Sequence, residues 1–275
     1  MLRKMFVLLL LGTMGAGLIL YLKQPVKTVA IGGYKAMPYI DITLDELNID
    51  IADSPDDKIH LQIKGHTLNK NILSVSQKNN TFVLKETRQK KKWQENIHFR
   101  PMPTVVMKLP KSQSKALTIN GAYGDLIIQG LELDTIQAGT SAGMAHVKNV
   151  IVSNAEFSTA DGMVKIAKSS LKNLSITTDA GDVSIKESTG TAHTIRTADE
   201  QIKITEATEQ PNIQLKSVSG DIGIQYIKTP ASLQLVTAGE DVKIELPKYD
   251  RNTHAIGDGT NRLSAKTEDG GLVIQ

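Results

Sequence analysis

Residues 177–185 read TTDAGDVSI, and the phrase returns at 217–224 as SVSGDIGI and at 158–166 as STADGMVKI. A period of about twenty residues marks a repeat architecture, in which each unit has an apolar side that only a neighbouring copy covers. Aligned on these phrases, the chain falls into columns. One runs Leu117, Ile136, Ala155, Leu174, His193, Ile213, Leu233; two residues on stand Ile119, Ala138, Phe157, Ile176, Ile195, Leu215, Leu235. Two further on come Gly121, Thr140, Thr159, Thr178, Thr197, Ser217, Thr237, then a turn rich in Gly, Asp and Ala. The columns resume with Leu126, Ala145, Val164, Val183, Ile202, Ile222, Val242 and end with Ile128, Val147, Ile166, Ile185, Ile204, Ile224, Ile244. Spacing of two is strand spacing, because alternate residues of a strand face one side. Each unit is therefore two short strands joined by a tight turn, where Gly162, Gly181 and Gly220 would supply positive φ. Stacked about 4.8 Å apart, the units close a core between two sheets. The expected fold is all-β, a β-solenoid of 19–20-residue repeats.

An eighth row fits if ten residues are inserted: Leu263, Ala265, Thr267, Leu272 and Ile274 lie thirty after Leu233, Leu235, Thr237, Val242 and Ile244. Residues 248–262 then form a loop thrown out of the last coil, and the final edge lacks a cap unless that loop folds over it. Upstream the period fails. Leu47-Ile49-Ile51, Ile59-Leu61-Ile63, Leu73-Val75, Phe82-Leu84 and Val105-Met107-Leu109 alternate as half-buried strands. They are expected to form an antiparallel meander over 39–110 that caps the stack, with Met107 and Leu109 one row before Leu126 and Ile128. Residues 24–38, with Gly32-Gly33 and two prolines, are expected to be a linker. Residues 111–275 are the solenoid.

At the start, Arg3 and Lys4 precede an uncharged apolar run from Met5 to Leu22. Its length is near the lower limit for spanning a bilayer core of about 30 Å. A cleaved signal and a retained anchor compete; the apolar residues 18–22 after Gly15-Ala16-Gly17 are poor context for cleavage, so 1–23 is expected to be a membrane anchor in contact with lipid. The formal net charge is +3, but without Arg3, Lys4, Lys23 and Lys27 the remainder carries about −1. That leaves no broad basic surface for nucleic acid. The chain has no cysteine, which removes disulfides, thiolate metal sites and thiol catalysis.

No residue set commits the chain to a reaction. The six histidines never take HExxH spacing, and no GxSxG or GK[ST] loop occurs. His193, in an aliphatic column, reads as a core histidine. Asp125, Asp182, Asp221 and Asp241 form a broken column at the turns; Asp221 and Asp241, on adjacent rows, could share a calcium ion, but acids at such bends usually form turns. The threonine column lies on the buried side by parity, which rejects a flat ice-binding face and points to hydrogen bonds along the ladder. Outward positions are scattered lysines and amides, and no outward cleft is expected to gather two acids beside a cation. One charge run remains: Arg88, Lys90, Lys91 and Lys92 precede the only tryptophan, Trp93. Cations beside an interfacial aromatic suit anionic lipid or anionic envelope polymer, against the plainer reading of a charged, soluble hairpin loop.

An N-terminal anchor, a strand region ending in TVVMKLP and repeats of the SGDIGI and AGDVSI kind resemble the LiaG-like family of bacterial envelope proteins, adhesin candidates without assigned catalytic residues. The resemblance implies a membrane-tethered, extracytoplasmic protein, in some members linked to envelope stress. Together with the residues, the expectation is a binding or structural protein with no cofactor and no metal, whose partner is anionic envelope polymer or another envelope protein. The rival expectation is a β-helix enzyme acting on polysaccharide.

Overall fold

The computed structural model describes residues 25–66, 68, 70–87, 101–111 and 113–275. The run expected as an anchor, residues 1–23, lies outside them; among the described residues no helix is long and apolar enough to cross a membrane. The strands are β1 (Lys27–Lys35), β2 (Tyr39–Thr43), β3 (Asn48–Asp53), β4 (Lys58–Gly65), β5 (Leu73–Lys78), β6 (Thr81–Glu86), β7 (Thr104–Leu109), β8 (Ala116–Asn120), β9 (Leu126–Gln129), β10 (Glu132–Thr140), β11 (Ala145–Lys148) and β12 (Ile151–Thr159). They continue as β13 (Val164–Ala167), β14 (Ser170–Thr178), β15 (Val183–Lys186), β16 (Ala192–Thr197), β17 (Ile202–Ala207), β18 (Asn212–Lys216), β19 (Ile222–Tyr226), β20 (Leu233–Ala238), β21 (Asp241–Ile244), β22 (Ala255–Ile256), β23 (Asn261–Lys266) and β24 (Gly271–Ile274).

They form two twelve-stranded sheets, one ordered β1-β4-β7-β3-β9-β11-β13-β15-β17-β19-β24-β21, the other β22-β20-β23-β18-β16-β14-β12-β10-β8-β2-β6-β5. We call these sheet A and sheet B. The columns read from the sequence are real ladders: Ile185 pairs with Ile204 and Ile204 with Ile224, all between 1% and 3% exposed. Burying each such side chain contributes about 1.5–3 kcal/mol.

The two corners of a coil are built differently. At the first, Gly143, Gly162, Gly181 and Gly220 do not adopt positive φ. They are glycine because a Cβ on each would overlap a carbonyl oxygen of the preceding coil, that of Gly124, Gly143, Gly162 and Glu200 respectively. The buried hydroxyls bind this turn more than the ladder: Thr140, Thr159, Ser217 and Thr267 each accept the N–H of the glycine three residues on, at 3.1, 2.9, 2.8 and 3.1 Å. Thr140 and Thr267 also donate to a carbonyl of the adjoining coil. The second corner supplies the left-handed residues, Gly130, Asn149, Lys168, Glu187 and Glu206, with φ between 49° and 67°. Ion pairs from Lys168 to Glu187 at 3.6 Å and Lys186 to Glu206 at 2.7 Å run along this corner.

The ends depart from the expected order. Residues 39–110 are not an antiparallel meander: β2 lies parallel between β6 and β8, and β3 parallel between β7 and β9. Ile51 therefore stands between Met107 and Ile128, so Met107 and Leu109 are not one row before Leu126 and Ile128: β3 intervenes, and Met107 rather than Leu109 is in line with Ile128. At this end of the described residues the antiparallel strands are β1, β4 and β5. Nor are residues 24–38 a plain linker, because residues 27–35 form β1, which follows β4 with a bulge between Ala30 and Gly32.

The C-terminal end has the same inserted layout. After β19 the chain skips a row, so β23 and β24 fill the space between β18/β19 and β20/β21. In sheet A the thirty-residue offset holds, Val242 opposite Leu272. In sheet B it is twenty-eight, Leu235 opposite Leu263, a slide of two that keeps inward residues inward. The carboxylate of Glu209 fixes the skip, accepting N–H groups of Ala231 and Ser232 at 2.8 and 2.9 Å and the amide of Asn261 at 2.6 Å. Burial pushes this carboxyl up, but those donors outweigh it and hold it below its ordinary value. The loop after β21 folds over the sheet B end, burying Leu246 and Ile256 and pairing β22 with β20, and leaves the β21 edge of sheet A unpaired among the described residues.

Replacing Glu209 with Ala should lower stability by about 1–3 kcal/mol. Hydrogen exchange should accelerate in β20, β21, β23 and β24 while β10 to β15 stay protected.

Candidate binding surface

The outward faces of the two sheets carry the accessible chemistry. Strand parity alternates apolar and polar side chains, so every outward column is made of whatever each coil places between its buried pair. On sheet A one column runs His146, Lys165, Ser184, Lys203, Gly223, Val273, Lys243. At Gly223 it is bare: a Cβ there would meet nothing within 4 Å. A glycine in the interior of a strand weakens it and often marks close approach by a ligand or another backbone.

Over Gly223 lies a trough of about 640 Å³, crossing β17, β19, β24 and β21. Its floor is the Gly223 backbone and the exposed Val273. Lys203 forms one wall, Asp221 and Asp241 one end, and Thr205, Gln225 and Gln275 the other. Two shallower grooves, about 590 and 550 Å³, lie on sheet B, the first holding Lys111, Lys115 and Lys172, the second Gln137, Glu156 and Arg196. In the second the amide of Asn173 donates to Asn154 at 2.9 Å, joining adjacent coils.

The trough thus gathers two acids beside a cation, contrary to expectation. The two are not neighbours, because Gly271 stands between them in the ladder. Two strand steps, roughly 9.6 Å, separate their backbones, so Asp221 and Asp241 do not lie on adjacent rows as a shared calcium ion required. Asp221 is also occupied: it accepts the Gly271 N–H at 2.7 Å. The same use recurs along this corner, where Asn48 accepts Asp125 N–H at 2.8 Å, Asp125 accepts Met144 N–H at 2.9 Å and Asp182 accepts Gln201 N–H at 3.3 Å. These side chains pin each coil to the next. Among the described residues no cluster of three His, Asp or Glu could hold a metal ion.

His193 is a core histidine, 2% exposed, with Nε2 at 3.2 Å from the Leu171 carbonyl. Burial pushes its pKa below the ordinary value, against the smaller opposing effect of that carbonyl. The charge run, Arg88, Lys90, Lys91, Lys92 and Trp93, lies outside the described residues. In sequence it falls between β6 and β7. The trough was missed because its bare floor is created by the inserted row; in sequence order Gly223 stands beside Lys243, and Val273 appears at the end of the column.

His193 makes a pH-dependent contribution. Its folded pKa is depressed, so the neutral form is favoured by folding; stability is full above the unfolded value of about 6.5 and falls as pH drops from there toward the folded value. The variant His193→Leu should show a flatter denaturation midpoint between pH 7 and 5 than the parent.

The family model described as Toastrack DUF4097 matches residues 38–275. No curated protein sequence matches the chain. Among solved structures, the chain is similar to a "putative lipid binding protein" from Parabacteroides distasonis, with 13% identity and a TM-score of 0.57, over 92% of this chain and 98% of that one. It is similar also to a "putative adhesin" from Parabacteroides merdae, with 11% identity and a TM-score of 0.53, over 91% and 95%. At such identities the likeness is one of fold.

Proposed function

Because the chain belongs to the Toastrack DUF4097 family, we propose that it is a binding and structural protein of the bacterial cell envelope, without catalytic activity, held to the membrane by residues 1–23. The single observation that carries the reading is the open trough over Gly223, a shallow outward surface in which Gln201, Thr205, Gln225 and Gln275 set uncharged hydrogen-bonding groups around an apolar floor, beside Lys203, Asp221 and Asp241. Its Gln225, Gln275 and Thr205 side chains suit hydroxyl and amide groups, and its flat floor suits an extended chain, so the ligand class is polysaccharide. Its volume falls in the range of small-ligand sites. The adhesin and lipid-binding descriptions given to the two structural neighbours agree with a binding role. The narrower LiaG-like kinship, a link to envelope stress and contact of Arg88, Lys90, Lys91, Lys92 and Trp93 with anionic polymer or lipid are finer parts of the same proposal.

A second reading, a polysaccharide-active enzyme, is favoured by one observation, the pair Asp221 and Asp241 in the trough. Their backbone spacing of roughly 9.6 Å approaches the carboxyl separation of inverting glycosidases. The engagement of Asp221 with the Gly271 N–H weighs against it, since a carboxylate that pins the backbone is poorly placed to move.

Gly223→Tyr fills the trough from a position with room for it, and a β-forming residue should leave the midpoint of denaturation unchanged or raised. Binding to isolated cell-wall polysaccharide should fall at least about tenfold, whereas unchanged binding would remove the trough from the proposal; reducing ends released by the parent but not by Asp221→Asn or Asp241→Asn would establish the enzyme instead. Changing Lys90, Lys91 and Lys92 together to Glu should weaken retention on anionic envelope material, and unchanged retention would exclude the charge run.

A further inference from the structure

Each sheet has two ends, and at three of the four the parallel stack closes with an antiparallel strand. Sheet A ends on β4 and β1 at one side, and sheet B ends on β5 at one side and β22 at the other. The fourth end stops at β21, parallel to β24 and with no partner beyond it among the described residues. Its backbone polarity follows from the register. Glu245 N–H donates to Ile274, so Lys243 and Glu245 face β24, and the N–H and C=O groups of Val242 and Ile244 point outward. The core is also left open there. Val242 continues the column of Val183, Ile202, Ile222 and Leu272, all at most 1% exposed, yet is itself 39% exposed.

We propose that β21 pairs antiparallel with β21 of a second copy of this chain, supplying the missing antiparallel strand. The charges of β21 select this occupant. With Val242 on the two-fold axis, Val242 meets Val242 of the other copy as a hydrogen-bonded pair, and Asp241 stands opposite Lys243 in the close, non-hydrogen-bonded position, twice. The pairing keeps outward residues on one face, as a two-fold axis normal to the sheet requires. The edge at β1 is unsuited to the same arrangement: its bulge twists the edge, and pairing centred on Ile31 sets Lys27 against Lys35. The troughs over Gly223 would lie on one face of a continuous sheet, side by side across the axis, so a polymer could engage both at once.

The test is sedimentation and cross-linking of the full-length chain in detergent. Val242→Pro removes a donor that the single chain does not use, so the fold should persist while the dimer is lost. Lys243→Asp, which turns both ion pairs into repulsions, should raise the dissociation constant roughly tenfold or more, and Asp241→Lys combined with Lys243→Asp should restore it. Because the chain has no cysteine, Val242→Cys should give a covalent dimer on oxidation, the Cα separation of a hydrogen-bonded pair being suitable for a disulfide. A monomeric parent, a dimer that survives Val242→Pro, or failure of the charge exchange to restore association would each overturn the proposal.

Discussion

Two sheets share one narrow strip of aliphatic side chains, and everything else in the molecule keeps that strip continuous. Each short strand contributes about two inward residues, too few to stabilise any coil alone. A coil is stable only when its Ile or Val stands directly over that of its neighbours, as Val164, Val183, Ile202 and Ile222 do. A slip of one residue would reverse inside and outside. The corners enforce the pitch: glycine where backbones touch, a hydroxyl at Thr140, Thr159, Ser217 and Thr267 that ties its turn to itself, and an acid or amide that ties a turn to the next coil.

That constraint explains what could be read in the sequence. Between residues 116 and 226 the period is nearly unbroken, so alignment gave the rows, the facing side and the burial of His193. The order of coils at the ends could not be read, because a row inserted between two others satisfies the same inward pattern as a row added at the end. Ile274 is aliphatic whether it follows Ile244 or precedes it in space. What decides is the carboxylate of Glu209, whose partners Ala231 and Asn261 are distant in sequence. The left-handed corner was hidden for a different reason. Asn149, Lys168, Glu187 and Glu206 share no residue type that announces positive φ.

The surface follows from the same rules. Because inward positions are reserved, chemistry can vary only outward, and it varies coil by coil without disturbing the core. The trough over Gly223 is one such variation, and sequence order alone could not show that Val273, not Lys243, lies next to Gly223. The charge run at residues 88–93 was the clearest local signal in the chain, yet it lies outside the described residues.

The insertion of β23 and β24 also sets a timetable. As a chain emerges from its N-terminus, the coils from β8 to β19 can assemble in order, each on a finished template. The β20–β21 coil then has no template, since the row that must separate it from β18 and β19 is made of residues 261–274. Until those arrive, Ile222 and Ile224 face water and β20 has only β22 to hold. A helper that shields exposed strands during synthesis would be needed longest at this point, before β23 and β24 have been made.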